Sequence, residues 1–114
     1  LTLQEIVSAL GLEVVAGADR LDGEVTGGYA SDLLSCVMAG AKAGTIWVTL
    51  QAHTNVIAVA ELLNLAGVII TEGMRPSEET LVRANEKSIP TLLSKESTFT
   101  VVGRLWQLGV RGVK

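Results

Sequence analysis

Short apolar runs that alternate with segments of helical spacing limit this chain to few possible folds. The runs fall near Val25 and at residues 46–50, 68–71 and 91–93, with another short strand at 12–15. Helical spacing covers about residues 32–39, 55–66, 78–87 and 98–108, after a first helix that precedes the pattern. Val68-Ile69-Ile70 is apolar without a break, as expected of a parallel strand covered on both faces. The alternation predicts successive βαβ units with right-handed crossovers. An α/β fold is therefore expected, with a mainly parallel sheet of about four to five strands, helices on both faces, and one domain over residues 1–114.

Local signals mark the element ends. Thr2-Leu3-Gln4-Glu5 has capping-box spacing, and Gly11 is placed to close that helix in the left-handed conformation. Ser77 precedes Glu78 and Glu79, an N-cap followed by two carboxylates suited to a helix dipole. Ile89-Pro90 requires an extended entry to the following strand. The 55–66 helix is apolar on nearly all sides, which requires cover on two faces. Either a second subunit or the first or last helix can supply that cover. Phe99, Val102 and Trp106 share one helical stripe and are expected in the core.

Composition removes several function classes. A formal net charge of −3, with nine scattered Lys and Arg, is wrong for a nucleic-acid module or an anionic membrane surface. No apolar stretch approaches the ~20 residues that span a bilayer. One cysteine permits no internal disulfide, and one histidine beside it makes a metal site improbable. A cytoplasmic location without a bound metal or cofactor is the expectation.

The stretch Val25-Thr26-Gly27-Gly28-Tyr29-Ala30-Ser31-Asp32 reads as a strand, a glycine turn and a helix start capped by Ser31 or Asp32. Such a turn can hold an anion on backbone N–H groups. Ligands of parallel sheets collect beyond the carboxyl ends of the strands. Those ends bring Thr26, Gly27, Gly28, Ser31 and Asp32 together with Gln51, His53, Thr54, Glu72, Arg75 and Lys95 as candidate ligand-binding residues on one rim. Arg75 and Lys95 would supply positive charge, His53 a proton or an anion contact, and Glu72 a ribose contact or a base. Ordinary capping and solvent exposure are the alternative roles for these side chains. Cys36 reads as a buried, inert thiol. No phosphate loop, dinucleotide fingerprint, zinc-protease helix or nucleophile elbow occurs, so no catalytic residues are assigned.

Residues 26–35, Thr26-Gly27-Gly28-Tyr29-Ala30-Ser31-Asp32-Leu33-Leu34-Ser35, resemble the signature region of the DRTGG domain family. Gly44-Thr45-Ile46-Trp47-Val48-Thr49-Leu50-Gln51-Ala52-His53 and Leu65-Ala66-Gly67-Val68-Ile69-Ile70 extend the resemblance across most of the chain. Glu24 and Val25 stand where the family name has Asp and Arg. The resemblance implies a fold similar to the N-terminal domain of HPr kinase/phosphorylase and to a domain of Mur ligases. It also implies a regulatory or assembly role, since such domains accompany CBS-domain pairs and phosphotransacetylases or stand alone beside iron-only hydrogenase subunits.

The resulting expectation is a non-catalytic module, homodimeric, that binds a small anionic ligand such as a nucleotide or phosphorylated metabolite, docks on a partner enzyme, or does both. A pure self-association module without ligand is the alternative. A phosphotransferase or hydrolase fragment using His53 and Glu72 ranks behind both.

Overall fold

The computed structural model describes residues 1–113. Its elements are α1 (Leu3–Leu10), β1 (Glu13–Ala16), a 3-10 turn (Ala18–Arg20), β2 (Gly27–Ala30), α2 (Leu34–Gly40), β3 (Thr45–Thr49), α3 (Thr54–Leu62), β4 (Gly67–Ile70), α4 (Glu78–Glu86), β5 (Thr91–Leu93) and α5 (Thr98–Gln107). One five-stranded sheet runs in the order β1-β5-β4-β3-β2. β2 to β5 are mutually parallel, and β1 pairs antiparallel with β5 at one edge. This is the expected α/β architecture.

Alternation along the strands sorts the core into two layers. Trp47, Val68 and Ile70 pack with Val37 of α2, Val56, Ile57 and Ala60 of α3, and Ala84 of α4. Ile46, Val48, Ile69 and Leu92 face the other way, onto Leu3, Ile6 and Leu10 of α1 and Val101 and Leu105 of α5. Three crossovers of one hand thus put α2, α3 and α4 on one face, leaving α1 and α5 for the opposite face.

This arrangement settles how α3 is covered. Its neighbours on the same layer, not α1 or α5, bury Ile57 completely, and only Ala58 and Leu62 of the second stripe reach solvent. The helix also ends sooner than its apolar pattern, because Asn64 turns the chain with φ 56°.

Several caps follow directly from sequence. Thr2 and Glu5 exchange both capping-box hydrogen bonds, Gly11 takes φ 65°, and Ser77 accepts from the Thr80 N–H. The first turn of α1 is further held by Leu21 and Gly23, whose carbonyls accept from the Gln4 and Leu3 N–H groups.

Candidate functional site

The parallel register places the candidate residues at two opposite ends of the sheet. Gly27 pairs with Thr45 at the start of β3, and Ile46 pairs with Gly67 at the start of β4. Thr26, Gly27 and Gly28 therefore sit at the amino end of the strands. Ser31, Asp32, Gln51, His53, Thr54, Glu72, Arg75 and Lys95 follow the carboxyl ends. The single rim expected for all of them does not exist, because the apolar run near Val25 lies before the strand and the glycines lie inside it. Thr26 binds locally: its N–H donates to the Gly44 carbonyl and its hydroxyl to the Ala43 carbonyl.

The glycine pair is needed for close approach rather than for a turn. Both residues are in β2 and neither has a positive φ. A Cβ on Gly27 would lie 2.5 Å from a Val113 methyl, and one on Gly28 would lie 3.1 Å from a Val110 methyl. The segment after α5 runs along the open edge of β2, where the Gly28 N–H donates to the Arg111 carbonyl and Gly28 bridges Gly112 in parallel. Arg111 anchors that segment by stacking 3.8 Å above the Trp106 ring.

At the carboxyl rim, the chain's own side chains occupy the backbone donors. α2 begins at Leu34 with no side-chain cap, and neither Ser31 nor Asp32 caps it. Ser31 Oγ accepts from the Leu33 N–H. The Asp32 carboxylate instead ties the end of β3, accepting from Thr49 Oγ1 and the Leu50 N–H, both at 2.8 Å. Gln51 donates its side-chain amide to the Asp32 carbonyl. His53 is the N-cap of α3 and accepts the Asn55 N–H on Nδ1, while Thr54 shares a 2.7 Å hydroxyl contact with Thr80. Glu72 accepts the Thr98 N–H at the start of α5.

One break in topology remains open. The chain leaves β4 toward α4 on one face of the sheet and leaves β5 toward α5 on the other. Connections that diverge in this way open a crevice at the carboxyl edge. A cleft of about 320 Å³ lies there, lined by Glu13, Gly73, Arg75, Ser94, Lys95 and Glu96, with Leu10, Gly11, Met74 and Leu93 as its apolar walls. Glu72 and Gly73 are both left-handed, at φ 62° and 71°, which bends the β4–α4 loop back over the β5–α5 loop. The Glu72 and Gly73 N–H groups then donate to the Glu96 and Ser94 carbonyls.

Two ion pairs border the cleft and differ in kind. Arg104 Nη1 reaches Glu96 at 2.7 Å and also donates to the Leu10 carbonyl, while its Nη2 donates to the Ala9 carbonyl, which locks α5 to α1. Arg75 holds Glu13 in a bidentate pair at 3.1 and 3.2 Å, with both side chains largely exposed. Hydrogen bonding to Arg75 holds the Glu13 carboxyl below its ordinary value against the opposing effect of desolvation, and the charges of Arg75 and Lys95 add to that lowering. The same bond raises the Arg75 guanidinium. Glu13 and Arg104 escaped the sequence reading. Glu13 lies inside the run at 12–15, but nothing local shows that this strand pairs with β5.

The stripe expected in the core is outside it. Phe99 is 88% exposed and Trp106 57% exposed on α5, with Val102 beside them. The inward stripe of this helix is Val101 and Leu105. An apolar groove of about 220 Å³ runs between Trp106, Val102 and the edge of β2. Cys36 is exposed on α2 rather than buried. Among the described residues, no helix is long and apolar enough to cross a membrane, and no cluster of His, Cys, Asp and Glu could hold a metal ion.

The fold and the cleft define an open-sheet α/β domain whose cavity lies at the carboxyl edge of the strands. More narrowly, the chain matches the DRTGG domain over residues 5–108 and belongs to that family. It is similar to the crystal structure of the CBS and DRTGG domains of the regulatory region of Clostridium perfringens pyrophosphatase, in complex with the activator diadenosine tetraphosphate. The TM-score is 0.74 at 18% identity, over 93% of this chain and 46% of that one. This chain thus spans about half of the solved regulatory chain, and the likeness at that identity is one of fold. No curated protein matches the chain.

Proposed function

We propose that this chain is a cytoplasmic regulatory domain without catalysis of its own, which binds a small phosphorylated ligand in the cleft bordered by the β4–α4 and β5–α5 loops and the α1–β1 junction and passes that state to a partner enzyme. The observation that carries this reading is the placement of Arg75 and Lys95 on the cleft at the divergence of α4 and α5. A volume of about 320 Å³ is at the lower end for small-molecule sites and suits a compact phosphate-bearing group. The likeness to a regulatory region that binds a dinucleotide polyphosphate supports the ligand class. His53 and Glu72, which an enzyme reading would use, each accept a backbone N–H at a helix start.

Isothermal titration with pyrophosphate, ATP and diadenosine tetraphosphate tests this reading. Saturable binding of at least one of them is expected, and its loss in the Arg75→Gln, Lys95→Gln double variant. No heat from any of the three, or equal binding by the variant, removes the reading.

A second reading, self-association, draws support from the exposed α5 face. Trp106 lines an apolar groove and Phe99 is exposed on the same helix, and one copy's aromatic side chain suits the groove of another. The surface proposed for such a dimer is α5.

A further inference from the structure

The inference here rests on the cleft reading above and concerns how the site is controlled. Among the described residues, both hydrogen bonds of Arg75 go to Glu13. The two partners are 62 residues apart in sequence, one at the start of edge strand β1 and the other in the β4–α4 loop. Glu13 Oε1 and Oε2 lie on Arg75 Nη1 and Nη2 as the two oxygens of a phosphate would, since carboxylate and phosphate fit the same guanidinium fork. Lys95 lies on the same cleft, close enough for its charge to act on Glu13. Among the described residues, no acidic side chain pairs with Lys95 within 4.0 Å.

Exposure decides what this pair can do. Arg75 and Glu13 are 61% and 55% exposed, so water and salt screen their attraction and the contact breaks at small cost. The Arg104–Glu96 pair is different, because its guanidinium also holds two backbone carbonyls of α1 and cannot leave without loosening α5. A polyvalent anion can engage Arg75 and Lys95 together, whereas the single Glu13 carboxylate spans only the first.

We propose that Glu13 is a built-in competitor for the ligand: its carboxylate occupies the donor face of Arg75 in the empty site, and a phosphate group displaces it on binding. Binding then frees the start of β1 from the β4–α4 loop, so the occupied and empty states differ at the edge of the sheet.

The test is titration of inorganic pyrophosphate into the wild type, Glu13→Gln, Arg75→Gln and the double variant at one fixed ionic strength, with circular dichroism to show that each is folded. Glu13→Gln should bind pyrophosphate about two- to fivefold more tightly than the wild type, the range set by loss of one exposed ion-pair competitor. In the Arg75→Gln background the same change should give no gain. Equal affinity of Glu13→Gln and wild type overturns the competitor role and leaves the regulatory reading standing. An undiminished gain in the Arg75→Gln background also overturns it, since the effect is then one of net charge. Absence of pyrophosphate binding in all four proteins overturns the competitor role. If ATP and diadenosine tetraphosphate also give no heat, the cleft reading falls with it.

Discussion

The Gly28 N–H donates to the carbonyl of Arg111 at 2.9 Å, which makes the glycine pair of the signature a seat for the segment after α5. That segment covers part of the outer edge of β2, where unpaired strand groups would otherwise face solvent. The requirement for glycine is steric, set by residues more than eighty positions away.

Gly27→Val should therefore loosen the 110–113 segment. Its side chain would collide with Val113 and crowd the Arg111 carbonyl. A loss of about 1–3 kcal/mol is expected, as for other overpacked sites. Trp106 fluorescence should shift to the red as Arg111 leaves its ring, with buried Trp47 as the constant background.

Two further glycine substitutions should move stability in opposite directions. Gly17 has φ 69°, and a Cβ there would overlap the backbone of Ile89 and Pro90, so Gly17→Ala should cost about 3 kcal/mol or more. Gly103 is an exposed position inside α5 with nothing within 4 Å of an added Cβ. Gly103→Ala should stabilise by about 0.5–1 kcal/mol through helix propensity. Urea denaturation of both variants gives the comparison.

Asp32→Ala should loosen the carboxyl rim without touching the cleft. It removes an acceptor shared by Thr49 Oγ1 and the Leu50 N–H. Hydrogen bonds to a charged acceptor of this kind give an expected loss of about 1.5–3 kcal/mol. Asp32→Asn should recover part of it. The measurement is again the urea midpoint, with ligand titration as the control.

Acid should remove a small, assignable part of the stability. Hydrogen bonds from the Thr2 N–H and hydroxyl region lower the Glu5 carboxyl, and Arg75 lowers that of Glu13, each from an ordinary value of 4.5. Because the folded values lie below the unfolded one, the unfolded chain takes up protons first as pH falls. Their contribution is complete above about 4.5 and is lost as pH drops through the lower folded values. Urea midpoints measured from pH 7 to 3 should fall less steeply in Glu5→Gln and Glu13→Gln than in the wild type.

Phe99→Ser separates self-association from stability. At 88% exposure the ring adds little to the fold, and the change should stay within about 0.5 kcal/mol. If the α5 face pairs two copies, sedimentation equilibrium should find the wild type heavier than the variant at equal concentration. Identical masses would remove the dimer reading.

Interactions within a few residues were legible in the sequence. Thr2 with Glu5, Gly11 and Ser77 each formed the caps their spacing predicts, because donor and acceptor lie within one helical turn. The apolar runs at 46–50, 68–71 and 91–93 became β3, β4 and β5, and their alternation with helices fixed the parallel sheet. Near Val25 the pattern was offset, since β2 starts only where β3 offers a partner, at Gly27 opposite Thr45.

Tertiary structure alone decided the site. Helical spacing singles out Phe99, Val102 and Trp106 for the core, but the packed sheet buries Val101 and Leu105 and leaves Phe99 and Trp106 in solvent. Antiparallel pairing of β1 with β5 brings Glu13 to Arg75, a contact across 62 residues that no local pattern encodes. Chain order gives the residue types and the turns. Which end of the sheet each residue reaches depends on strand register and crossover direction, and those are set by burial of the whole core at once.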